Sequence, residues 1–158
     1  MNISVESVAA VTGEIDDELH GYYFEDLEVG MTEAYAKTLT EADIVLFAGI
    51  SGDINPVHLN HEFASQTIFE GRIAHGMLTA SFISAVIGTK LPGPGCIYLK
   101  QSLNFKAPVK TGDTITARVT IRELMAEKKR VVMDTVCSVG EVVVLDGEAL
   151  ILVSRKQS

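Results

Sequence analysis

One ten-residue segment, residues 51–60, combines an acid, an imidazole and a turn; it reads Ser-Gly-Asp-Ile-Asn-Pro-Val-His-Leu-Asn. On a helix, Asp53 and His58 would lie about 140° apart, and in a fully extended chain up to about 17 Å apart. They converge only if the chain turns between them, and Asn55 with the proline after it is a turn-forming pair. A carboxylate and an imidazole that face one point can move protons, so the segment indicates general acid–base chemistry.

A second segment, His75-Gly76-Met77, opens an apolar helical stretch. Backbone N–H groups in the first turn of a helix lack an intrahelical acceptor, and Gly76 has no side chain to block approach. An oxygen that becomes negative during a reaction could accept a hydrogen bond there and be stabilised by the helix dipole. Farther along the same helix, Ser84 could present a hydroxyl to a cavity, and Ile87 is a candidate lining residue one turn on.

Each of these residues also has a structural interpretation. Asp53 could be an ordinary turn aspartate, and His58 could be a buried histidine whose hydrogen bonds are satisfied. A helix cap or a backbone hydrogen bond explains His75 better than catalysis does. Ser84 could bond a preceding carbonyl of its own helix, and Ile87 could equally pack in the core. The combination of acid, turn and imidazole nevertheless favours the catalytic interpretation of Asp53 and His58.

Metal and redox sites find less support. The histidines at 58, 61 and 75 raise a zinc hypothesis, because a spacing of three can place two imidazoles on one helical face. A proline stands just before them and the glutamate of a metalloprotease motif is missing, so we predict no metal ligands. Cys96 and Cys137 are far apart in the sequence and are expected to be reduced core residues.

Alternating strands and apolar helices must position these residues. Residues 31–39 alternate and predict a strand, and Thr40 with Asp43 resembles a capping box that opens a helix ending at about residue 50. Residues 76–89 are apolar on nearly every face, which predicts a helix buried on all sides. The remaining predictions are a short helix over 61–66 and strands over 96–105, 114–124, 130–139 and 142–153.

One buried helix followed by a run of strands predicts an α+β protein. An antiparallel sheet wrapped around a central buried helix, the hot-dog fold, satisfies both patterns, because the helix needs cover and the sheet has one apolar face to fill. The regular strand spacing suggests an antiparallel meander. There is no Gly-x-Gly-x-x-Gly and no phosphate loop, which argues against dinucleotide oxidoreductases and P-loop enzymes.

Composition and charge set further bounds. The chain has 158 residues, 47% of them hydrophobic, and fits one domain. Nine acidic residues precede the first basic residue, Lys37, which argues against a nucleic-acid partner. We therefore expect an acidic extension over residues 1–22 and a hot-dog domain over 23–158. Because no long apolar run and no basic leader are present, we expect a cytoplasmic protein without membrane association.

The motifs resemble those of MaoC-like (R)-specific enoyl-CoA hydratases, also called 3-hydroxyacyl-CoA dehydratases. The resemblance covers roughly residues 24–153, and Asp-x-Asn-Pro-x-His together with His-Gly-Met is its most specific part. It rests on Gly52 to His58 with Ala64, His75-Gly76-Met77, Leu91-Pro92-Gly93 with Gly95, Ser102 to Val109, and Gly112-Asp113.

The resemblance implies an activity and a role for each motif. The activity is reversible syn hydration of a trans-2-enoyl-CoA to a (3R)-3-hydroxyacyl-CoA, with a short chain such as crotonyl-CoA favoured. Asp53 and His58 would form the catalytic pair around one water, and the Gly76 N–H would bind the thioester carbonyl. Ser84 would lie near the site, and Asn55, Ile87 and His75 are, from the residues themselves, further candidates for the substrate pocket.

The same resemblance implies a homodimer, or an assembly of such dimers, and an acyl-CoA substrate. Coenzyme A then belongs to the substrate, and no separate cofactor is expected. Two rivals of another class stay open at this stage, an acyl-CoA thioesterase and a non-catalytic acyl-CoA binding or dimerisation module. Within the same chemistry, a dehydratase of fatty-acid synthesis and a hydratase for a branched dicarboxylic enoyl-CoA also stay open. The residues do not determine which of Asp53 and His58 acts on water.

Overall fold

The computed structural model describes residues 18–156. Most of the predicted acidic extension, residues 1–17, lies outside this range. The described part contains four α-helices, five strands and two short 3-10 turns. The helices are α1 (Glu41–Ser51), α2 (Pro56–Leu59), α3 (His61–Ser65) and α4 (Gly76–Thr89), and the strands are β1 (Thr32–Thr38), β2 (Ile97–Phe105), β3 (Thr114–Met125), β4 (Arg130–Val139) and β5 (Val142–Leu152).

The five strands form one antiparallel sheet in the order β1-β3-β4-β5-β2. The sheet packs against α4, whose buried residues include Leu78, Phe82 and Ile83. The side chains that β3 and β4 bury in the same core include Ile121 and Met133. This confirms the α+β hot-dog arrangement, and the bounds predicted for α4 and β4 match those observed.

The predicted meander is correct for β3, β4 and β5 but wrong for β2. That strand pairs with β5 at the far edge of the sheet rather than with β3. The connection over residues 106–113 is too long for a tight hairpin, and it carries the chain across to β1. There the Gly112 N–H donates to the Leu39 carbonyl at 2.8 Å, and the Leu39 N–H donates to the Asp113 carbonyl at 2.8 Å.

Helix α1 begins and ends where the sequence predicts. The Thr40 hydroxyl accepts from the Asp43 N–H while the Asp43 carboxylate accepts from the Thr40 N–H, which is the predicted capping box. Gly52 ends the helix with φ of 77°, a left-handed conformation that favours glycine. Helix α2 is not predicted, because Pro56 suggests only a turn; proline is tolerated there as the first helical residue.

The described end of the predicted extension packs on the loop that follows α4. The Gly21 N–H donates to the Pro94 carbonyl and the Tyr22 N–H donates to the Pro92 carbonyl, both at 2.8 Å. The His20 ring stacks on Tyr23 with ring centroids 4.0 Å apart. This histidine, which has no predicted role, therefore helps to fasten residues 20–23 to the domain.

Candidate active site

The turn between Asp53 and His58 is built from local side-chain hydrogen bonds. The Asp53 N–H donates to the Ser51 hydroxyl, and the Asn55 N–H donates to the Asp53 carboxylate, each at 3.2 Å. The Asn55 side-chain oxygen then accepts from the Val57 N–H at 3.2 Å and caps α2. The chain folds back within six residues, as the turn-forming pair predicts, and Asn55 holds the turn by bonding nearby backbone.

His58 projects from α2 into the interior, with 8% of its surface exposed. Its Nδ1 lies 2.8 Å from the carbonyl oxygen of Ile73. Because a carbonyl only accepts hydrogen bonds, Nδ1 must carry the proton in the neutral ring. The Nε2 lone pair is then free to accept a proton, which is what a general base requires.

His75 stands directly before α4 and is 1% exposed. Its Nε2–H donates to the backbone carbonyl of Asp53 at 2.9 Å, so the expected backbone hydrogen bond is present, whereas no side-chain cap bond is formed. Its ring lies on that of His58 with centroids 3.8 Å apart and an interplanar angle of 31°. His75 therefore joins the two halves of the site.

A cavity of about 480 Å³ opens between the turn, the start of α4 and the end of β2. Four of the seven residues singled out from the sequence line it, namely Asp53, His58, His75 and Gly76. Its other walls are mostly apolar: they comprise Phe69, Ile73, Ala74, Met77, Thr79, Phe105, Lys106, Ala107, Pro108, Val109, Val144 and Leu145.

Gly76 leaves the helix start open to the cavity. A Cβ built at this position would lie 2.7 Å from the Cε1 atom of Phe105, so that ring occupies the place of a side chain. The Gly76 and Met77 N–H groups belong to the first turn of α4, where a helix supplies no acceptor. An acceptor oxygen in the cavity can therefore reach an N–H group with the positive end of the helix dipole behind it.

Three predicted pocket residues lie elsewhere. Asn55 is exposed and acts within the turn, Ser84 is exposed on α4, and Ile87 is fully buried in the core. None of the three is in the cavity lining of the single chain. Ser84 and Ile87 are two and three turns beyond Gly76, which carries them past the cavity along the helix axis.

Thr79 is a buried polar residue of the lining that the sequence did not single out. It is 3% exposed and sits one turn after Gly76, on the helix face that meets the cavity. Its carbonyl accepts from the buried Cys137 thiol at a sulfur–oxygen distance of 3.6 Å. The spacing of three from Gly76 is the signal that would have found it.

The ligand-type atoms of Asp53, His58 and His75 lie within 4.8 Å of one another, and this is the one such group in residues 18–156. The zinc hypothesis instead combined His58 and His75 with His61, which is exposed and outside the group. One nitrogen of each buried ring is already engaged by a backbone carbonyl. His75 thus bonds the backbone of Asp53, and His58 bonds Ile73.

Ion pairs fasten the elements that carry the site. Hydrogen bonds from Lys37 first and from Thr40 second lower the pKa of Asp43 to about 2, so its carboxylate caps α1 in the charged form. Arg72 pairs with Glu41 at the start of the same helix and lowers the pKa of that carboxyl. Because Arg72 precedes Ile73, this pair ties the carbonyl that orients His58 to α1.

Known proteins resemble this chain in sequence. Residues 27–143 match the family described as MaoC like domain. The (R)-specific enoyl-CoA hydratase of Rhodospirillum rubrum is 56% identical over 140 residues, which span 89% of this chain and 97% of the relative. The 3-hydroxybutyryl-CoA dehydratase of Methylorubrum extorquens is 54% identical over 140 residues, which span 89% of each chain.

Solved structures agree. The unliganded R-hydratase PhaJ1 from Pseudomonas aeruginosa superposes with a TM-score of 0.82 at 44% identity, over 87% of this chain and 89% of that one. The (R)-hydratase from Aeromonas caviae involved in PHA biosynthesis superposes with a TM-score of 0.79 at 42% identity, over 82% of this chain and 98% of that one. This chain therefore belongs to the MaoC-like domain family.

Proposed function

We propose that the protein catalyses the reversible syn hydration of trans-2-enoyl-CoA thioesters to (3R)-3-hydroxyacyl-CoA. One observation carries the proposal: the Asp53 carboxylate and the free Nε2 of His58 share a cavity with the first-turn amides at Gly76. A base, a second proton-transferring group and an oxyanion donor are the parts that hydration of a conjugated thioester needs. Relatives named as enoyl-CoA hydratases at 56% and 42% identity support it.

In the proposed reaction, His58 Nε2 takes a proton from water as the water oxygen bonds to C3. The C2–C3 double bond shifts toward the thioester carbonyl, and its oxygen gains negative charge that the Gly76 N–H stabilises. Asp53, carrying a proton at this stage, delivers it to C2. The proton that His58 took from water then passes to Asp53 and replaces the one delivered to C2, which restores both groups; their ligand atoms lie within 4.8 Å of each other. Addition from one side gives the syn product.

The lining of the cavity favours a substrate whose acyl chain is a hydrocarbon. Beyond Asp53, His58 and His75, this lining is mostly apolar, which favours such a chain over a branched dicarboxylic one. The Methylorubrum relative is named for a four-carbon substrate, and we propose a short-chain enoyl-CoA such as crotonyl-CoA here. Coenzyme A enters as part of the substrate, and the proposed steps use no resident cofactor.

We also propose that the protein is a homodimer formed through β2. This strand is an edge of the sheet, so one side of its backbone has no partner strand among residues 18–156. It exposes Ile97, Tyr98 and Leu99, and its last residue, Phe105, is 56% exposed beside the cavity. A second β2 could satisfy the backbone and cover these side chains. Sedimentation should then give twice the chain mass of 17.0 kDa, or a multiple of that dimer.

The remaining expectations concern location and domain organisation. We propose a cytoplasmic enzyme, supported by two unpaired cysteines. Within the described residues, every helix is too short or too polar to cross a bilayer. We retain the division into an extension over residues 1–22 and a catalytic domain over 23–158, supported by the family match from residue 27 onward.

The decisive experiment is a hydration assay on purified protein. Absorbance of the enoyl thioester should fall when crotonyl-CoA is added, and chiral analysis should give the (3R) product. A series from four to twelve carbons would locate the chain-length preference. Release of free thiol would indicate a thioesterase instead, and tight acyl-CoA binding without either reaction would indicate a binding module.

A further inference from the structure

The buried ring of His75 has a hydrogen-bonding state that capping and core packing leave unexplained. Its Nε2–H is donated to the Asp53 carbonyl at 2.9 Å, while its Nδ1 is buried without a hydrogen-bond partner among the described residues. A buried polar atom left without a partner destabilises a fold. A phenylalanine would fill similar space without that penalty, so the imidazole calls for a reason other than packing.

The ring is also held between two others. It lies against Phe47 of α1 with centroids 5.0 Å apart and against His58 with centroids 3.8 Å apart. The Ser51 hydroxyl donates to the Phe47 carbonyl at 2.7 Å and accepts a hydrogen bond from the Asp53 N–H. The imidazole thus contacts, in one place, the backbone of the acid and the ring of the base.

We infer that His75 is a positioning residue that fixes Asp53 and His58 relative to each other through a neutral, Nε2-protonated ring. The Nε2–H fixes the acid by holding its carbonyl. The uncharged face supports the His58 ring without repelling the positive charge that ring acquires when it takes a proton. This inference rests on the proposed function for its catalytic consequence, but the tautomer and the contact geometry can be tested without it.

Three variants separate positioning from packing. His75→Gln keeps an N–H donor at the reach of Nε2 but loses the ring. His75→Phe keeps a ring and loses the donor, and His75→Asn keeps a donor that is too short to reach the Asp53 carbonyl. We expect Gln to retain kcat within about tenfold, and Phe and Asn to lose about a hundredfold, the scale of a misplacement near 1 Å. KM should change little in all three.

The melting temperatures of the three variants should not follow the order of their kcat values. His75→Phe removes a buried unpartnered nitrogen and should melt at least as high as the other two variants, although its kcat is low. If kcat instead followed the melting temperature, with Phe the most active, the role would be structural and the inference would fail.

A second readout is independent of turnover. Imidazole ¹⁵N NMR of the wild-type chain at neutral pH should show His75 protonated at Nε2 and unprotonated at Nδ1. A ring protonated at Nδ1, or at both nitrogens, would overturn the inference even in an active enzyme. Conversely, the expected spectrum from a protein that hydrates no enoyl-CoA would count against the proposed function and leave the positioning geometry standing.

Discussion

The two halves of the site are held in different ways. The turn at residues 51–60 lies largely at the surface and is shaped by bonds between residues two to four apart, such as Val57 N–H to Asn55. The start of α4 is fixed by distant residues: the Ala74 N–H donates to Val109 at 2.7 Å, and Phe105 packs on Gly76. Local bonds shape the turn that carries the acid and the base, whereas long-range packing places the oxyanion donor, so the two halves should respond differently to substitution.

The largest effects are expected in the turn itself. His58→Asn retains a donor for the Ile73 carbonyl but removes the Nε2 base, and Asp53→Asn retains an acceptor for the Asn55 N–H. Each should lower kcat for crotonyl-CoA hydration by about 10²–10⁴-fold, the usual contribution of a positioned acid or base. Circular dichroism should show an unchanged fold. Activity within a few-fold of wild type in either variant would remove that residue from the mechanism.

A smaller effect is expected at the start of α4. Gly76→Ala places a Cβ 2.7 Å from the Phe105 ring, which is too close for two carbon atoms. The Phe105 side chain must therefore shift. We expect kcat/KM to fall by about tenfold, since the donor and its target oxygen are displaced together. The matched control is Gly88→Ala on the same helix, where a Cβ meets nothing within 4 Å. That control should keep activity and gain about 0.5–1 kcal/mol of stability. Equal activities of the two variants would contradict the assigned role of Gly76.

Loosening the turn should lower both activity and stability. Asn55→Ala removes the cap of α2, which is worth about 1 kcal/mol, and frees the segment between acid and base. We expect turnover to fall several-fold. Asn60→Ala removes an equivalent cap, the bond from the Phe63 N–H at 3.0 Å, from α3. It should cost similar stability in urea unfolding and leave turnover unchanged; parallel losses of turnover would show that the turn has no special role.

The fall of the unfolding free energy at acidic pH tests whether the Lys37–Asp43 pair anchors α1. The pKa of Asp43 is lowered in the fold to about 2, by the hydrogen bond from Lys37 first and by the Thr40 bonds second. Its stabilising contribution is therefore complete above the ordinary aspartate pKa and is lost as pH falls from about 4 to about 2. Asp43→Asn should flatten the decrease in unfolding free energy across that window. An unchanged pH profile would exclude the pair as an anchor.

The smallest effect is expected where sequence reasoning expected a pocket residue. Ser84 is exposed and lies outside the cavity of the single chain, so Ser84→Ala should leave kcat and KM within about twofold of wild type. A larger change would place this hydroxyl at a substrate site formed only in the assembled protein.

The same contrast explains what could be predicted from sequence. The bounds of α4 and β4, the cap of α1 and the convergence of Asp53 and His58 follow from short-range patterns, so they were accessible. The placement of β2 beside β5 depends on a connection that crosses to β1, which no local signal encodes. The cavity lining from Phe105 to Val109 likewise depends on that crossing. For this reason the sequence placed these residues in a motif but did not predict that they line the cavity.

The buried Cys137 next to Thr79 has a practical consequence for labelling. Burial raises its pKa to about 12, and burial also raises the pKa of Cys96, so both native thiols stay in the unreactive neutral form near neutral pH. A cysteine introduced at Met77, which is 56% exposed at the rim of the cavity, should react selectively with a maleimide dye without removal of either native cysteine. The chain can thus carry a fluorescent reporter for ligand entry.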